Sequence, residues 1–272
     1  MGIGLVVEPH NFVALCRMDI DLNCDLGEWI NADAAGRDAE VLAFISSANI
    51  ACGGHIGDMH SMMETVRLAK SHGVAVGAHP SFADTRHFGR RELVLPISDI
   101  EALIEEQVGT LVDVARSEDV QVSHVKPHGA LYNMAARDRA VADAVARAVA
   151  ATDLNLTLFG LSGSKLLDAG RDVGLTVVAE VFADRAYEAD GTLRSRQLPN
   201  SVLSEPALVV ERAVQMVTKG TVVTVTGEVL HVESDTICVH SDTPGSVDLA
   251  GRLRRDLEGA GVVVRSPKQL AV

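Results

Sequence analysis

Ionisable residues recur in this chain at the far ends of short apolar runs. Residues 20–25 end in Asp25, 49–55 in His55, 74–79 in His79 and 122–128 in His128; residues 177–184 end in Asp184 and 237–242 in Asp242. The apolar part of each run reads as a buried strand. Near-continuous Val, Ile and Ala suit parallel strands covered on both faces. In a parallel α/β barrel the C-terminal ends of the strands gather on one face, where chemistry is carried out. An open doubly wound sheet would concentrate polar residues at one switch point. Polar residues at nearly every strand end therefore predict a (β/α) barrel of seven or eight strands, carrying a His/carboxylate site.

The spacing of elements agrees. Strands are expected near 19–24, 47–52, 74–78, 121–126, 154–159, 175–182 and 236–240, with helical segments between them. Asp58 is a natural N-cap for a helix running to His72. Ser98 with Glu101 reads as a capping box opening a helix that runs to about Ser117. Residues 138–151 are alanine-rich and helical, and Pro206 marks the first turn of another helix that ends near Gly220. Alternating strands and helices imply right-handed βαβ units. Residues 221–232 break the pattern: they alternate with period two around Gly227, a hairpin signal before the last barrel strand.

Aromatic residues make up only 3% of the chain against 47% hydrophobic residues, so Ala, Val, Leu and Ile must fill the core. The net charge of −13 argues against nonspecific nucleic-acid binding and against an anionic membrane surface. No apolar run approaches the roughly 20 residues of a membrane helix. Cys16, Cys24, Cys52 and Cys238 have no CxxC spacing and read as reduced, buried thiols, which suits the cytoplasm. Residues 1–17 lack the pattern of a signal peptide and are expected to be an extension outside the fold, with Met18 an alternative start. Residues 18–272 are expected to form one barrel domain.

Candidate chemistry clusters at the strand ends. Asp21, Asn23 and Asp25 share one face of the first strand, so they can place a ligand or a base in the barrel mouth; Glu28 follows in the turn. His55 and His79 stand at equivalent ends of neighbouring strands. Arg90 and Arg91 can clamp a carboxylate or phosphate, or form a solvated basic loop. His124, Lys126 and His128 form the densest cluster. Lys126 inside a barrel is costly unless paired, and Tyr132 and Asn133 offer hydrogen bonds to a polar substrate. Glu180, Asp184, Arg185 and Tyr187 end the sixth strand, and His240 and Asp242 the last. Residues 160–165 do not satisfy GxxxxGK[ST], and GxGxxG and GxSxG are absent, so a P-loop, a Rossmann site and a nucleophile elbow are unsupported.

Taken in order, the stretches 20–28, 47–53 with His55, 77–81, 88–91, 125–132, 180–187 and 238–245 resemble the LamB/YcsF family. The resemblance spans about 18–260. It departs at Gly54, where the family usually has a bulkier residue, at Ser241, where it has Gly, and in the loop 82–87. It implies a seven-stranded barrel of the glycoside hydrolase/deacetylase type. It also implies ATP-dependent 5-oxoprolinase activity: 5-oxo-L-proline, a lactam, is cleaved to L-glutamate as ATP is hydrolysed to ADP and phosphate. The chain would then work in a complex with 5-oxoprolinase subunits B and C, with ATP bound together with those partners.

On this reading Asp25, His55, Lys126, His128 and Glu180 are the expected catalytic set. Asn23, Arg90, Tyr132, Asp184 and Arg185 are expected to bind substrate. Deacetylases of the superfamily use an Asp and two His for a divalent metal, which makes Asp25, His55, His79 and His128 the metal candidates here. The same residues could serve as a metal-free acid/base set. Two other classes remain open: a stand-alone metal-dependent deacetylase or amidohydrolase acting on a small amide or sugar, and a non-catalytic scaffold that binds substrate for partner subunits.

Overall fold

A computed structural model describes residues 18–29, 32–240 and 245–267. The expected extension 1–17 and the candidate Asp242 lie outside the described residues. Seven parallel strands close a barrel: β1 (Met18–Leu26), β2 (Ser47–Ala51), β3 (Ala75–His79), β4 (Val122–Val125), β5 (Thr157–Leu161), β6 (Thr176–Phe182) and, after the hairpin β7 (Thr221–Val223) and β8 (Val229–His231), β9 (Thr236–His240). Closure is made by β1, which pairs with β2 on one side and β9 on the other, placing Asp25 opposite both Asn49 and His240. A further short strand, β10 (Val262–Val264), pairs with the start of β1.

The helices α1 (Ala32–Val41), α2 (Met59–His72), α3 (Ile97–Ser117), α4 (Gly129–Arg137), α5 (Arg139–Thr152), α6 (Lys165–Asp172), α7 (Pro206–Lys219) and α8 (Ser246–Gly259) lie between the strands, with α4 and α5 both between β4 and β5. Ile20, Leu22, Cys24 and Leu26 of β1 join the hydrophobic core that the helices cover. The alternate residues Asp21, Asn23 and Asp25 bond across the barrel interior. The interior is therefore a polar network, and the apolar core lies between barrel and helices. Among the described residues no helix is long and apolar enough to cross a membrane.

The hairpin and the Asp58 cap match expectation, the cap as a full capping box with Ser61. The box expected at Ser98 does not form. Pro96 occupies the N-cap of α3 without a side-chain bond, and the Ser98 hydroxyl donates to Asp99. Proline's fixed φ sets the entry of the chain two residues early. The fifth strand begins at Thr157, because 153–156 are used in the turn after α5. The chain is extended at His128, and Gly129 then opens α4, so Tyr132 and Asn133 are helical.

Candidate active site

At the C-terminal face of the barrel lies a cavity of about 410 Å³. Asp25, Glu28, His79, Lys126 and His128 line its inner end, and Phe182, Leu161 and Ala130 form an apolar wall. Its outer rim carries Arg90, Arg137, Arg194 and Arg196. The loop after β6 folds back over the mouth, tied by bridges of Arg185 to Val202 and Tyr187 to Leu193, and residues 192–197 close one side of the cavity. Arg185 is buried, its guanidinium donating to the carbonyls of Ser201 and Arg194; burial brings its pKa down to about 10.

The floor is built around Lys126, which is 3% exposed. Its ammonium lies 3.0 Å from Asp25 Oδ1, 2.8 Å from Glu180 Oε1, 3.0 Å from Asn23 Oδ1 and 3.1 Å from Cys238 Sγ. Burial alone would lower this lysine's pKa, but the facing carboxylates and Cys238 hold it well above its usual value. Asn23 donates to Glu180 Oε1 and to Thr236 Oγ1, each at 2.8 Å, and Thr236 donates to Asp21 Oδ2 at 2.6 Å. Asp21 also accepts from the hydroxyls of Ser46 and Ser47. Burial nonetheless raises its pKa to about 6. Tyr132, buried beside Glu180, has its phenol pushed well up by burial and then by that carboxylate.

Above the floor three imidazoles converge. His79 Nδ1 lies 2.6 Å from the Lys126 carbonyl and His128 Nε2 lies 2.9 Å from the Phe88 carbonyl. A carbonyl only accepts, so each of these nitrogens carries the proton. The remaining nitrogens, His79 Nε2 and His128 Nδ1, face one another at 2.9 Å. Asp25 Oδ2 is 3.3 Å from the first and Glu28 Oε1 is 3.4 Å from the second. His55 stacks on His128 with centroids 3.7 Å apart, and its Nε2 bonds Glu28 at 2.8 Å. Burial lowers the pKa values of His55 and His128; for His128 the neighbouring His55 and His79 lower it further.

Glu28, in the turn after β1, thus belongs to the cluster. The signal was Gly27: its φ of +74° is left-handed, a conformation Gly adopts without strain, and it turns the chain back over the mouth. Asp38 Oδ2 holds that turn by accepting from the Gly27 amide and the Trp29 indole.

The expected residues therefore divide by position. Asp25, His79, Lys126 and His128 meet at the inner end of the cavity, with His55 stacked behind them and Glu180 and Asn23 beneath. Arg90, Tyr132 and Arg185 line the cavity as well. Asp184 is not on its wall, and the Arg185 guanidinium donates to the loop carbonyls of Ser201 and Arg194. The metal candidates regroup too, into Asp25–His79–His128 and Glu28–His55–His128, each with donor atoms within 4.8 Å of one another.

The fold and this cluster define a seven-stranded (β/α) barrel with a buried His/carboxylate centre at the strand ends. The sequence model of the LamB/YcsF family matches residues 20–272. The chain is 53% identical over 251 residues to the A subunit of 5-oxoprolinase from Chloroflexus aggregans, covering 92% of this chain and 100% of that one. It is 46% identical over 247 residues to the A subunit of 5-oxoprolinase from Tolumonas auensis, covering 91% and 98% respectively. The crystal structure of a lactam utilization protein from Thermus thermophilus superposes with a TM-score of 0.85 at 45% identity, covering 91% of this chain and 99% of that one. The chain belongs to the LamB/YcsF family.

Proposed function

We propose that this chain is the lactam-opening subunit of an ATP-dependent 5-oxoprolinase, releasing L-glutamate from 5-oxo-L-proline in company with subunits B and C, in the cytoplasm. The observation that carries the reading is a carboxylate, a buried cation and paired imidazoles set at the inner end of the barrel-mouth cavity, in a chain about half identical to proteins named as the A subunit of 5-oxoprolinase.

A lactam carbonyl is a resonance-stabilised amide, so its opening is eased when the carbonyl oxygen is first activated by phosphorylation. With no P-loop in the sequence, ATP is assigned to a site completed by the partner subunits. The activated carbon then needs a water, a base and a proton for the leaving nitrogen. Asp25 is the base. Its Oδ1 is held by Lys126 and Asn49, which leaves Oδ2 as the oxygen turned toward His79. Water adds to the carbon and gives its proton to Asp25; the C–N bond then breaks, the ring nitrogen takes up a proton, and a second water hydrolyses the resulting acyl phosphate, releasing phosphate and leaving the side-chain carboxylate of glutamate. His128 and His55 border the reacting end, and the Lys126 ammonium is bonded to both Asp25 and Glu180. The substrate carboxylate faces the rim, where Arg90 is the nearest of the expected clamps.

The cluster also fits a divalent cation. Two lone-pair nitrogens pointed at each other repel unless a proton or a cation lies between them. Lys126 is shared by the carboxylates of Asp25 and Glu180, while Glu28 faces the imidazoles of His55 and His128, so the centre carries more carboxylates than ammonium groups. Donor separations of 2.9–3.4 Å are close to those around a tetrahedral ion with bonds of roughly 2.0–2.2 Å. Asp25, His79 and His128 would hold it, with Glu28 adjacent. When bound, such an ion supplies Lewis acidity and lowers the pKa of a coordinated water.

The test is reconstitution. The chain is mixed with subunits B and C and assayed for glutamate and ADP from 5-oxoproline and ATP. The expected outcome is turnover that needs all three subunits and yields both products together. Amide hydrolysis by the isolated chain without ATP would replace this reading with the stand-alone amidohydrolase. Full turnover by a complex carrying Asp25→Asn would reduce the chain to a scaffold.

A further inference from the structure

We infer that His124 and Asn49 are positioning residues that orient Asp25: the His124 N–H fixes the Asn49 amide, and Asn49 then fixes the Asp25 carboxylate. The inference rests on the assignment of Asp25 as the base.

The hydrogen-bond directions follow one from another, starting at Lys126. An ammonium only donates, so the Asn23 atom 3.0 Å from it is the carbonyl oxygen. The Asn23 amide nitrogen is then turned to Glu180 and Thr236. Asn49 must present its own amide nitrogen to Asn23 Oδ1 at 2.7 Å, and the same nitrogen reaches Asp25 Oδ1 at 2.9 Å. Its carbonyl oxygen is left pointing at His124 Nε2, 2.9 Å away. That ring nitrogen must carry the hydrogen, and Nδ1 lies 2.9 Å from the Ser123 hydroxyl, which also reaches the Val76 carbonyl at 3.0 Å.

Three features build His124 into this role. It is 2% exposed and stacks on Phe159 with centroids 4.3 Å apart. Burial, with the charges of Lys126 and His79, lowers its pKa to about 3, so it stays neutral and keeps one N–H. Residue 77 is glycine: a Cβ there would lie 2.1 Å from His124 Nε2, so the ring occupies the space a side chain would take. Without the His124 N–H, the Asn49 carbonyl is buried without its donor and the amide can rotate. Rotation would set a carbonyl oxygen against the Asp25 carboxylate, which repels it. His124 touches neither the cavity nor the reacting atoms, and it acts only through Asn49.

The experiment compares His124→Met with His124→Gln in the reconstituted three-subunit enzyme. Met and Gln are close in shape, and only Gln retains an N–H for Asn49. The expected result is that H124M lowers kcat about 10- to 100-fold with little change in KM, while H124Q recovers most of the loss. H124M with the kcat of the unsubstituted enzyme would overturn the inference. Equal loss in H124M and H124Q would also overturn it, by showing that the ring's packing matters and its N–H does not. If H124M does not fold, Asn49→Thr breaks the same link with His124 in place, and an unchanged kcat in that variant overturns the inference. If the unsubstituted complex does not open the lactam, the proposed activity fails separately. Crystal structures then decide the positioning role: Asn49 bonded to both Asn23 and Asp25 in H124M would refute it, and a rotated Asn49 amide would support it.

Discussion

His79 Nε2 and His128 Nδ1 face each other at 2.9 Å while the other nitrogen of each ring is committed to a backbone carbonyl. Neutral rings in these tautomers bring two lone pairs together with no hydrogen between them. The cluster therefore calls for a positive charge at this point, and two carboxylates flank it. If a divalent cation supplies the charge, protein purified without chelators will contain a stoichiometric metal by elemental analysis. His79→Ala and His128→Ala will each lose it, with affinity lowered at least about 10- to 100-fold. Metal-free protein whose turnover ignores chelators would assign the charge to a shared proton instead.

Asp25 is the second test. In Asp25→Asn the Lys126 and Asn49 contacts to Oδ1 can persist, so the fold should survive. The variant loses the base and should lower kcat by about 100- to 10,000-fold in the reconstituted enzyme. Thermal melting and circular dichroism establish that the barrel is intact. Retained turnover would remove Asp25 from the chemistry.

Lys126 holds two buried carboxylates, and its removal leaves them uncompensated. Lys126→Met should destabilise the protein by about 3–5 kcal/mol, the usual cost of breaking a buried ion pair from one side. Adding Glu180→Gln removes one of the stranded charges and should restore part of that loss. Urea denaturation of the single and double variants gives the coupling. Equal stability of K126M and the unsubstituted protein would mean that the carboxylates take up protons at no cost.

Much of this architecture was legible in the chain because the barrel repeats one local pattern. Apolar strand, polar end and following helix recur, and each is set by neighbours in sequence. The inward phase of Asp21, Asn23 and Asp25 follows from the period of two in a strand. What could not be read was the partner of each group. Glu28 reaches His55 through a turn held by Asp38, a contact between residues 27 positions apart. His124 is marked in the sequence only as part of the 124–128 cluster and Asn49 not at all, since their link exists only when β2 and β4 lie on either side of Gly77 in β3. Asp184 and Arg185 look like a pair in the sequence, but the loop beyond them supplies the carbonyls that Arg185 takes. The Ser98 capping box failed for a local reason, because Pro96 starts α3 first.

Gly77 offers a steric prediction. A Cβ on residue 77 would fall 2.1 Å from His124 Nε2, 2.2 Å from Cδ2 and 2.4 Å from Cε1. The ring is held between Asn49 and Ser123 and stacked on Phe159, so it has no room to retreat. Gly77→Ala should therefore destabilise the protein by about 1–3 kcal/mol, as overpacking does. It should lower kcat together with stability, because displacing His124 releases Asn49. Gly109, inside α3 with open space for a Cβ, is the control: Gly109→Ala should leave kcat unchanged and raise stability by about 0.5–1 kcal/mol.

His124 also predicts how stability depends on pH. Its folded pKa is about 3, below the ordinary value of 6.5 that it would have unfolded. Below pH 6.5 the unfolded chain binds a proton that the folded ring refuses, so this group's contribution is fully present above 6.5 and is lost as pH falls toward 3. By about pH 4.5 the loss amounts to roughly 3 kcal/mol, at about 1.4 kcal/mol for each pH unit. Asp21 acts in the opposite direction: its folded pKa of about 6 lies above its ordinary value of 3.8, so stability falls as pH rises through that window. The two are separated by comparing the unsubstituted protein with His124→Gln, since Asp21 is present in both. Urea denaturation at neutral pH and near pH 4.5 should show H124Q gaining roughly 3 kcal/mol relative to the unsubstituted protein as pH falls. A difference that does not change with pH would mean that His124 is protonated in the folded barrel, and its hydrogen bond to Asn49 would then need no particular tautomer.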